Sequence, residues 1–184
     1  MIEKFLKQFV TLFGIGNVSN FPGTLASLIT SLFFYFLLIF TEIKQNWYIK
    51  DNLIIIYILF ILFSYLAIEK TKFLFKQKDA KEIVIDEVCG QSLPFITIIT
   101  FITIVPEFNK SEFAKYKLAL ANINIHLYSF ASFVLFRFFD ILKPFPINYI
   151  DKNFKNSFGI LFDDIVAGLI SSLLILIPLF FAFN

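Results

Sequence analysis

Apolar residues in this chain fall into long runs separated by short polar segments, and the lengths of those runs set the architecture. Residues 25–40, 53–68, 88–105, 125–139 and a last stretch running to residue 183 are nearly free of charge. Each is close to the roughly 17 to 25 residues that a helix needs to cross a bilayer. The pattern predicts an all-α membrane protein, a bundle of about four to five transmembrane helices. Residues 1–13 follow a different period, with Ile2, Phe5, Leu6, Phe9, Val10 and Phe13 on one helical face and Glu3, Lys4, Lys7, Gln8 and Thr11 on the other. That face predicts an N-terminal amphipathic helix lying along the membrane surface. It is expected to be retained, because it lacks the compact apolar run and small-residue cleavage site of a secretory signal. A glycine- and asparagine-rich turn over 14–24 then feeds the first span. Gln91 and Pro94 interrupt the third, and Pro144 should break the fourth.

Composition narrows the class. The chain is 58% hydrophobic and only 16% charged, with a mean hydropathy of +0.79, which excludes a soluble globular domain. Its 184 residues contain no Gly/Ser/Pro-rich linker, so residues 1–184 read as a single membrane-embedded domain. A net charge of +2, with lysines dispersed among apolar spans, argues against nucleic acid as a partner. The lone Cys89 excludes an internal disulfide framework and any multi-cysteine metal site. The 28 phenylalanines read as lipid-facing filler.

Charge placement gives an orientation. If five spans alternate with the N-terminus inside, only Lys44, Lys50, Lys110, Lys115 and Lys117 fall outside, and the other eleven of the 16 basic residues fall inside. The dense run Lys70, Lys72, Lys76, Lys78 and Lys81 then reads as a solvated cytoplasmic face and, second, as an attractor for lipid phosphate. The same topology brings the 14–24 turn, Asp86 and Glu87, the segment 137–143, Asp151, and Asp163 and Asp164 to one surface.

Those segments carry the candidate chemistry. Asp86 and Glu87 are adjacent carboxylates at the mouth of an apolar helix, where charge is costly without a partner or a metal ion. The alternative is that they face headgroup water and the helix dipole, a reading that fits Glu87 better than Asp86. Gly90 lies four residues after Asp86 and shares its face, which would let another helix come close. Asp164 and Gly168 repeat that spacing, with Asp163 again supplying a second acid. Arg137, Asp140 and Lys143 are three apart, predicting one helical stripe with a carboxylate between two cations; a simple ion-pair ladder is the alternative. Glycines of the 14–24 turn suit backbone N–H groups aimed at an anion, or simply a helix start. His126 reads as a boundary residue. Carboxylates from several helices repel unless protonated or bridged by a hard cation, and an oxygen-only set favours Mg²⁺ over zinc or copper. Arg137, Lys143 and the turn would supply the anion-binding half, giving metal-dependent phosphoryl chemistry at the inner leaflet.

Four blocks in order resemble the phosphatidylglycerophosphatase A family. They are Phe13-Gly14-x-Gly16 with Pro22-Gly23-Thr24-x-x-Ser27, then Ile83-Val84-x-Asp86-Glu87-x-x-Gly90. Phe136-Arg137-x-x-Asp140-Ile141-x-Lys143-Pro144-x-Pro146-Ile147 with Asp151 follows, and Gly159-Ile160-x-x-Asp163-Asp164-Ile165-Val166-Ala167-Gly168 closes the series. The resemblance implies a membrane-bound, Mg²⁺-dependent lipid phosphatase that hydrolyses the phosphomonoester of phosphatidylglycerophosphate to phosphatidylglycerol in phospholipid biosynthesis. Its implied setting is the inner membrane, multi-pass, with the active site on the cytoplasmic face. It further implies Asp86, Glu87, Asp163 and Asp164 as the Mg²⁺ site, with Asp140 a further ligand or the catalytic base. Arg137, Lys143, Gly23 and Thr24 would bind the substrate phosphate. Neither Asp-x-Asp-x-Thr nor Cys-x5-Arg is present, which favours direct attack by water over a covalent intermediate. Ala26 stands where the family often has a second glycine, the residues around Gly90 vary, and 106–124 looks long. The rival enzyme is a CDP-alcohol-type membrane phosphotransferase, whose Asp-Gly-x2-Ala-Arg signature is absent. Rivals of other classes are a small cation transporter, against which the acids sit at one surface, and a non-catalytic scaffold whose acids merely cap helices.

Overall fold

The computed structural model describes residues 2–18, 20–44, 52–75, 80–108 and 124–182, which are helical apart from short turns and contain no strand. The helices are α1 (Ile2–Val10), α2 (Ile15–Val18), α3 (Pro22–Lys44), α4 (Leu53–Thr71), α5 (Ile85–Phe108), α6 (Ile125–Leu142), α7 (Ile147–Asn153) and α8 (Ser157–Ala182). Stretches long and apolar enough to cross a membrane are Pro22–Phe40, Leu53–Leu74, Ile125–Leu142 and Ser157–Ile177. Large side chains such as Phe33, Phe36, Ile55, Leu59, Phe130 and Leu173 stand exposed on these helices, as expected of surfaces solvated by acyl chains.

The centre belongs to α5. Its 24 residues span about 36 Å at 1.5 Å per residue, and Cys89, Gln91, Phe95, Ile98 and Ile99 are buried along it. An interior helix is apolar on all sides, which is why periodicity could not orient it. It runs unbroken through Gln91 and Pro94, where the sequence predicted an interruption. Tyrosines from neighbouring helices tie down its backbone: Tyr57 donates to the Cys89 carbonyl at 2.7 Å, and Tyr128 donates to that of Pro94 at 2.5 Å. Several buried hydroxyls donate within their own helices, as Ser132 does to the Tyr128 carbonyl and Ser171 to that of Ala167, so these need no acceptor from outside the helix.

Helix α8 is the most extensive partner of α5, because glycines meet at the crossing. A Cβ on Gly168 would enter the Gly90 carbonyl, and one on Gly90 would come within 2.5 Å of the Asp164 carbonyl and 2.6 Å of the Phe136 ring. Small residues at such a crossing let two backbones approach where lipid offers no hydrophobic drive to bring them together.

At the site end, Leu6 and Val10 of α1 pack with Ala67 and Ile68 of α4, Ile83, Ile85, Cys89 and Leu161. The expected surface-lying face of α1 is therefore divided. Leu6 and Val10 dock on the bundle and Phe9 meets the Phe63 ring at 4.9 Å, while Ile2, Phe5 and Phe13 stay exposed. The Val84 amide donates to the Val10 carbonyl at 2.9 Å, fixing the turn that launches α5 against α1. Of the two short helices, α2 occupies part of the 14–24 segment that read as a turn, and α7 follows the break at Pro144. Lys50, Lys76, Lys78 and the long segment 109–123, with Lys110, Lys115 and Lys117, lie outside the described residues.

Candidate active site

Four helix ends and the short α7 enclose a cavity of about 430 Å³. The N-termini of α3 and α5, the C-terminus of α6 and the first turns of α8 form its walls. Asp86, Glu87, Asp140, Asp163 and Asp164 line it together with Arg137, Lys143, Gly23 and Thr24, so the residues expected to hold metal, act on the substrate or bind its phosphate all line one space.

Its floor is acidic. Because Gly90 and Gly168 let α5 and α8 touch, Asp164 comes against Asp86 and Glu87, and one oxygen from each of the three lies within 4.8 Å of the others. Asp164 is only 5% exposed, and Asp86 Oδ1 and Glu87 Oε2 are buried with no hydrogen-bond partner. A buried carboxylate oxygen left without a donor is costly, and two of them beside a third carboxylate more so. Oxygen donors of this number and charge, with neither histidine nor cysteine among them, fit a hard divalent cation. Gly23 is part of the same construction: a Cβ there would strike the Glu87 carboxylate, so glycine lets the start of α3 rest on that side chain, with the positive end of the helix dipole beside it.

The walls carry cations that are already held. Arg137 pairs with Asp140 one turn away, donates to Thr24 Oγ1 at 3.2 Å and lies 3.4 Å from Ser27 Oγ. Ser27 in turn donates to the Gly23 carbonyl at 2.9 Å. The guanidinium thus clamps the start of α3 to the end of α6. Asp140 and Thr24 hold its terminal nitrogens, while its buried Nε has no partner.

Lys143 does not continue the predicted stripe. A residue preceding proline is disfavoured in the α region, and before Pro144 it adopts a left-handed conformation, φ 43°, as the C-cap of α6. That turn carries its ammonium away from Asp140 to Asp163 at 2.6 Å and Asp151 at 3.0 Å. Burial opposes its charge, but the bonds and charges of Asp163 and Asp151 prevail and hold the ammonium protonated above its ordinary range. Asp163 and Asp164 therefore part company. Successive helical residues diverge by about 100°, and Asp164 joins the α5 carboxylates while Asp163 accepts from Lys143 and, through Oδ1, from the Asp164 amide at 3.1 Å.

Three participants were not assigned roles from sequence: Ser27 beneath Arg137, Asp151 beside Lys143, and Lys155 on the cavity wall. Asp151 belongs to α7, whose return to the site needs the chain to reverse at Pro144 and Pro146, and no periodicity announces that.

A family model described as Phosphatidylglycerophosphatase A matches residues 8–179. A segment of 39 residues is 62% identical to a Haemophilus influenzae protein named phosphatidylglycerophosphatase A, covering 21% of this chain and 24% of the relative. One of 42 residues is 52% identical to the Escherichia coli protein of the same name, covering 23% and 24%. These two matches thus span about a quarter of each relative's length. A Bacteroides thetaiotaomicron protein named putative phosphatidylinositol-3-phosphatase is 30% identical over 166 residues, 89% of this chain and 86% of its own. No solved structure matches the chain.

Proposed function

The chain belongs to the phosphatidylglycerophosphatase A family, and from that premise we propose that it is a Mg²⁺-dependent lipid phosphatase. It would hydrolyse the phosphomonoester of phosphatidylglycerophosphate to phosphatidylglycerol and phosphate, a step of phospholipid biosynthesis. The observation that carries the reading is the trio Asp86, Glu87 and Asp164, clustered on the floor of a cavity walled by Arg137 and Lys143, with a buried oxygen of Asp86 and one of Glu87 left unpartnered. Asp86, Glu87 and Asp164 would hold Mg²⁺. When bound there, the ion supplies Lewis acidity to a phosphate oxygen and offsets the charge of the floor. Asp163, engaged with Lys143, would act from beside that set and not within it.

The residues of the chain supply the rest. Arg137 and Lys143 offer N–H donors to the phosphoryl oxygens, and their carboxylate partners aim them without solvent reorganisation as charge develops. Water attacks phosphorus as the bond to the glycerol oxygen breaks. Asp140 would take the proton from that water, since one of its oxygens holds Arg137 and the other has no hydrogen bond or ion pair among the described residues. The alkoxide formed takes a proton from solvent.

The apolar helices support a substrate that stays in the bilayer, with tails against the exposed phenylalanines of the spans. The excess of lysine and arginine on one side supports the inner membrane, with the site on its cytoplasmic face. The decisive experiment is phosphate release from phosphatidylglycerophosphate by the purified protein in detergent, with and without Mg²⁺. Mg²⁺-dependent release is expected, and its absence under every condition overturns the activity. The name of the Bacteroides relative gives phosphatidylinositol 3-phosphate as the second substrate for the same assay.

A further inference from the structure

Two cations on the cavity lining are not engaged in its inner chemistry. Arg137 and Lys143 are committed to carboxylates inside. Lys81, from the turn that launches α5, and Lys155, from the turn between α7 and α8, line the same cavity and are exposed. Lys155 is 62% exposed along its side chain, and its nearest carboxylate oxygen, on Asp151, is 3.9 Å away, a distance and exposure at which an ion pair contributes little. Lys81 has no ion pair among the described residues. Phe21 and Phe154 line the cavity as well, and both remain exposed. The lining thus changes character from the acidic, deeply buried floor to exposed, at most weakly paired ammonium groups and aromatic surface at the outer edge. Lysine with an apolar neighbour is the composition that settles at phospholipid headgroup depth.

We infer that Lys81 and Lys155 form a second anion subsite at the mouth, which binds the phosphodiester joining the headgroup to the glycerol backbone of the lipid, with Phe21 and Phe154 against that backbone. The inference rests on the lipid phosphatase activity proposed above and adds what selects its substrate. The floor and inner walls take the phosphomonoester, and the mouth requires a second phosphate one headgroup away. A lipid whose only phosphate is a monoester attached directly to the diacylglycerol would reach the floor without filling the mouth. The subsite should therefore discriminate between one-phosphate and two-phosphate lipids through binding, leaving the bond-breaking step to the inner residues.

The test compares the wild-type protein with the Lys81→Gln/Lys155→Gln double variant and a Lys81→Arg/Lys155→Arg control, in mixed micelles containing phosphatidylglycerophosphate or phosphatidate. In the double variant, KM for phosphatidylglycerophosphate should rise about tenfold, the loss expected for charge-assisted bonds, with kcat little changed and KM recovered in the arginine control. Wild-type kcat/KM should be at least about tenfold lower for phosphatidate, and complete rejection of phosphatidate counts the same way. An unchanged KM in the double variant overturns the subsite, as does a fall in kcat alone or equal wild-type kcat/KM for the two lipids. Those results leave the phosphatase activity standing, whereas absence of wild-type turnover of phosphatidylglycerophosphate defeats the activity itself and the subsite with it.

Discussion

Gly90 and Gly168 meet backbone to backbone, so close that a side chain on Gly168 would occupy the place of the Gly90 carbonyl oxygen. Each lies one helical turn past an acid of the floor, Asp86 on α5 and Asp164 on α8. The crossing therefore sets the distance between the carboxylates. Gly168→Ala should wedge the helices apart, costing about 1–3 kcal/mol of stability as overpacking does, and should lower phosphate release by more than the loss of folded protein accounts for. Thermal unfolding in detergent alongside specific activity checks this, and an alanine variant of normal stability and activity would show that the close approach is dispensable.

The three floor acids should fail together. Asp86→Asn, Glu87→Gln and Asp164→Asn each preserve shape and remove a charged oxygen donor, so each should reduce phosphate release by at least about 100-fold while helix content by circular dichroism is retained. Full activity in any one of them removes that residue from the site.

Asp163 is predicted to behave differently from its neighbour. Its carboxylate holds Lys143 at 2.6 Å and stands apart from the floor trio. Asp163→Asn should leave Mg²⁺ binding in place and weaken the substrate interaction made through Lys143, raising KM. Isothermal titration with Mg²⁺ decides the matter: loss of binding in Asp163→Asn equal to that in Asp164→Asn would make both aspartates ligands.

The contrast between the two aspartates was partly present in the sequence. Asp164 is four residues from Gly168 and Asp86 four from Gly90, a repeated spacing that put each acid on a face another helix could approach. Asp163, about 100° round the helix, looks elsewhere, although the equally adjacent Asp86 and Glu87 both reach the floor. What the sequence could not supply was where it looked. That depends on Lys143 leaving the α6 stripe through a left-handed residue before Pro144, and on α7 bringing Asp151 back to the same ammonium. Spacing by threes described α6 correctly as far as Arg137 and Asp140 and failed at the residue where the helix ends. Likewise Gly23 and Thr24 read as a phosphate-binding turn, and they do line the cavity. Contacts no local pattern encodes show Gly23 making room for Glu87 and Thr24 holding Arg137. The apolar runs located the spans, because a bilayer imposes length and hydropathy on each helix separately. Side-chain pairings between distant helices carry no comparable local signature.

Arg137 should not tolerate lysine. Its two terminal nitrogens reach Asp140, Thr24 and Ser27, three groups on two helices, in a planar fork that an ammonium cannot reproduce. Arg137→Lys retains the charge and loses at least one of these bonds, so kcat/KM should fall by roughly 10- to 100-fold, with Asp140 less firmly held. Activity close to wild type would mean that charge alone suffices at this position.

Mg²⁺ should stabilise the folded protein as well as activate it, because the buried oxygens of Asp86 and Glu87 lack partners without a ligand. A cation that binds only the native state adds about 2.7 kcal/mol when present at 100 times its Kd, and for a floor of three carboxylates the gain includes relief of their mutual repulsion. Titrating Mg²⁺ into detergent-solubilised protein should therefore raise the unfolding temperature progressively, and chelation should reverse the rise. Asp86→Asn supplies the control that separates specific binding from a general salt effect. With one carboxylate neutralised, the repulsion is smaller before any cation is added, so this variant should start at least as stable as the wild type in chelator and gain little from Mg²⁺. An equal Mg²⁺-induced shift in both proteins would place the ion elsewhere on the molecule, and the acidic floor would then have to be neutralised by protons instead.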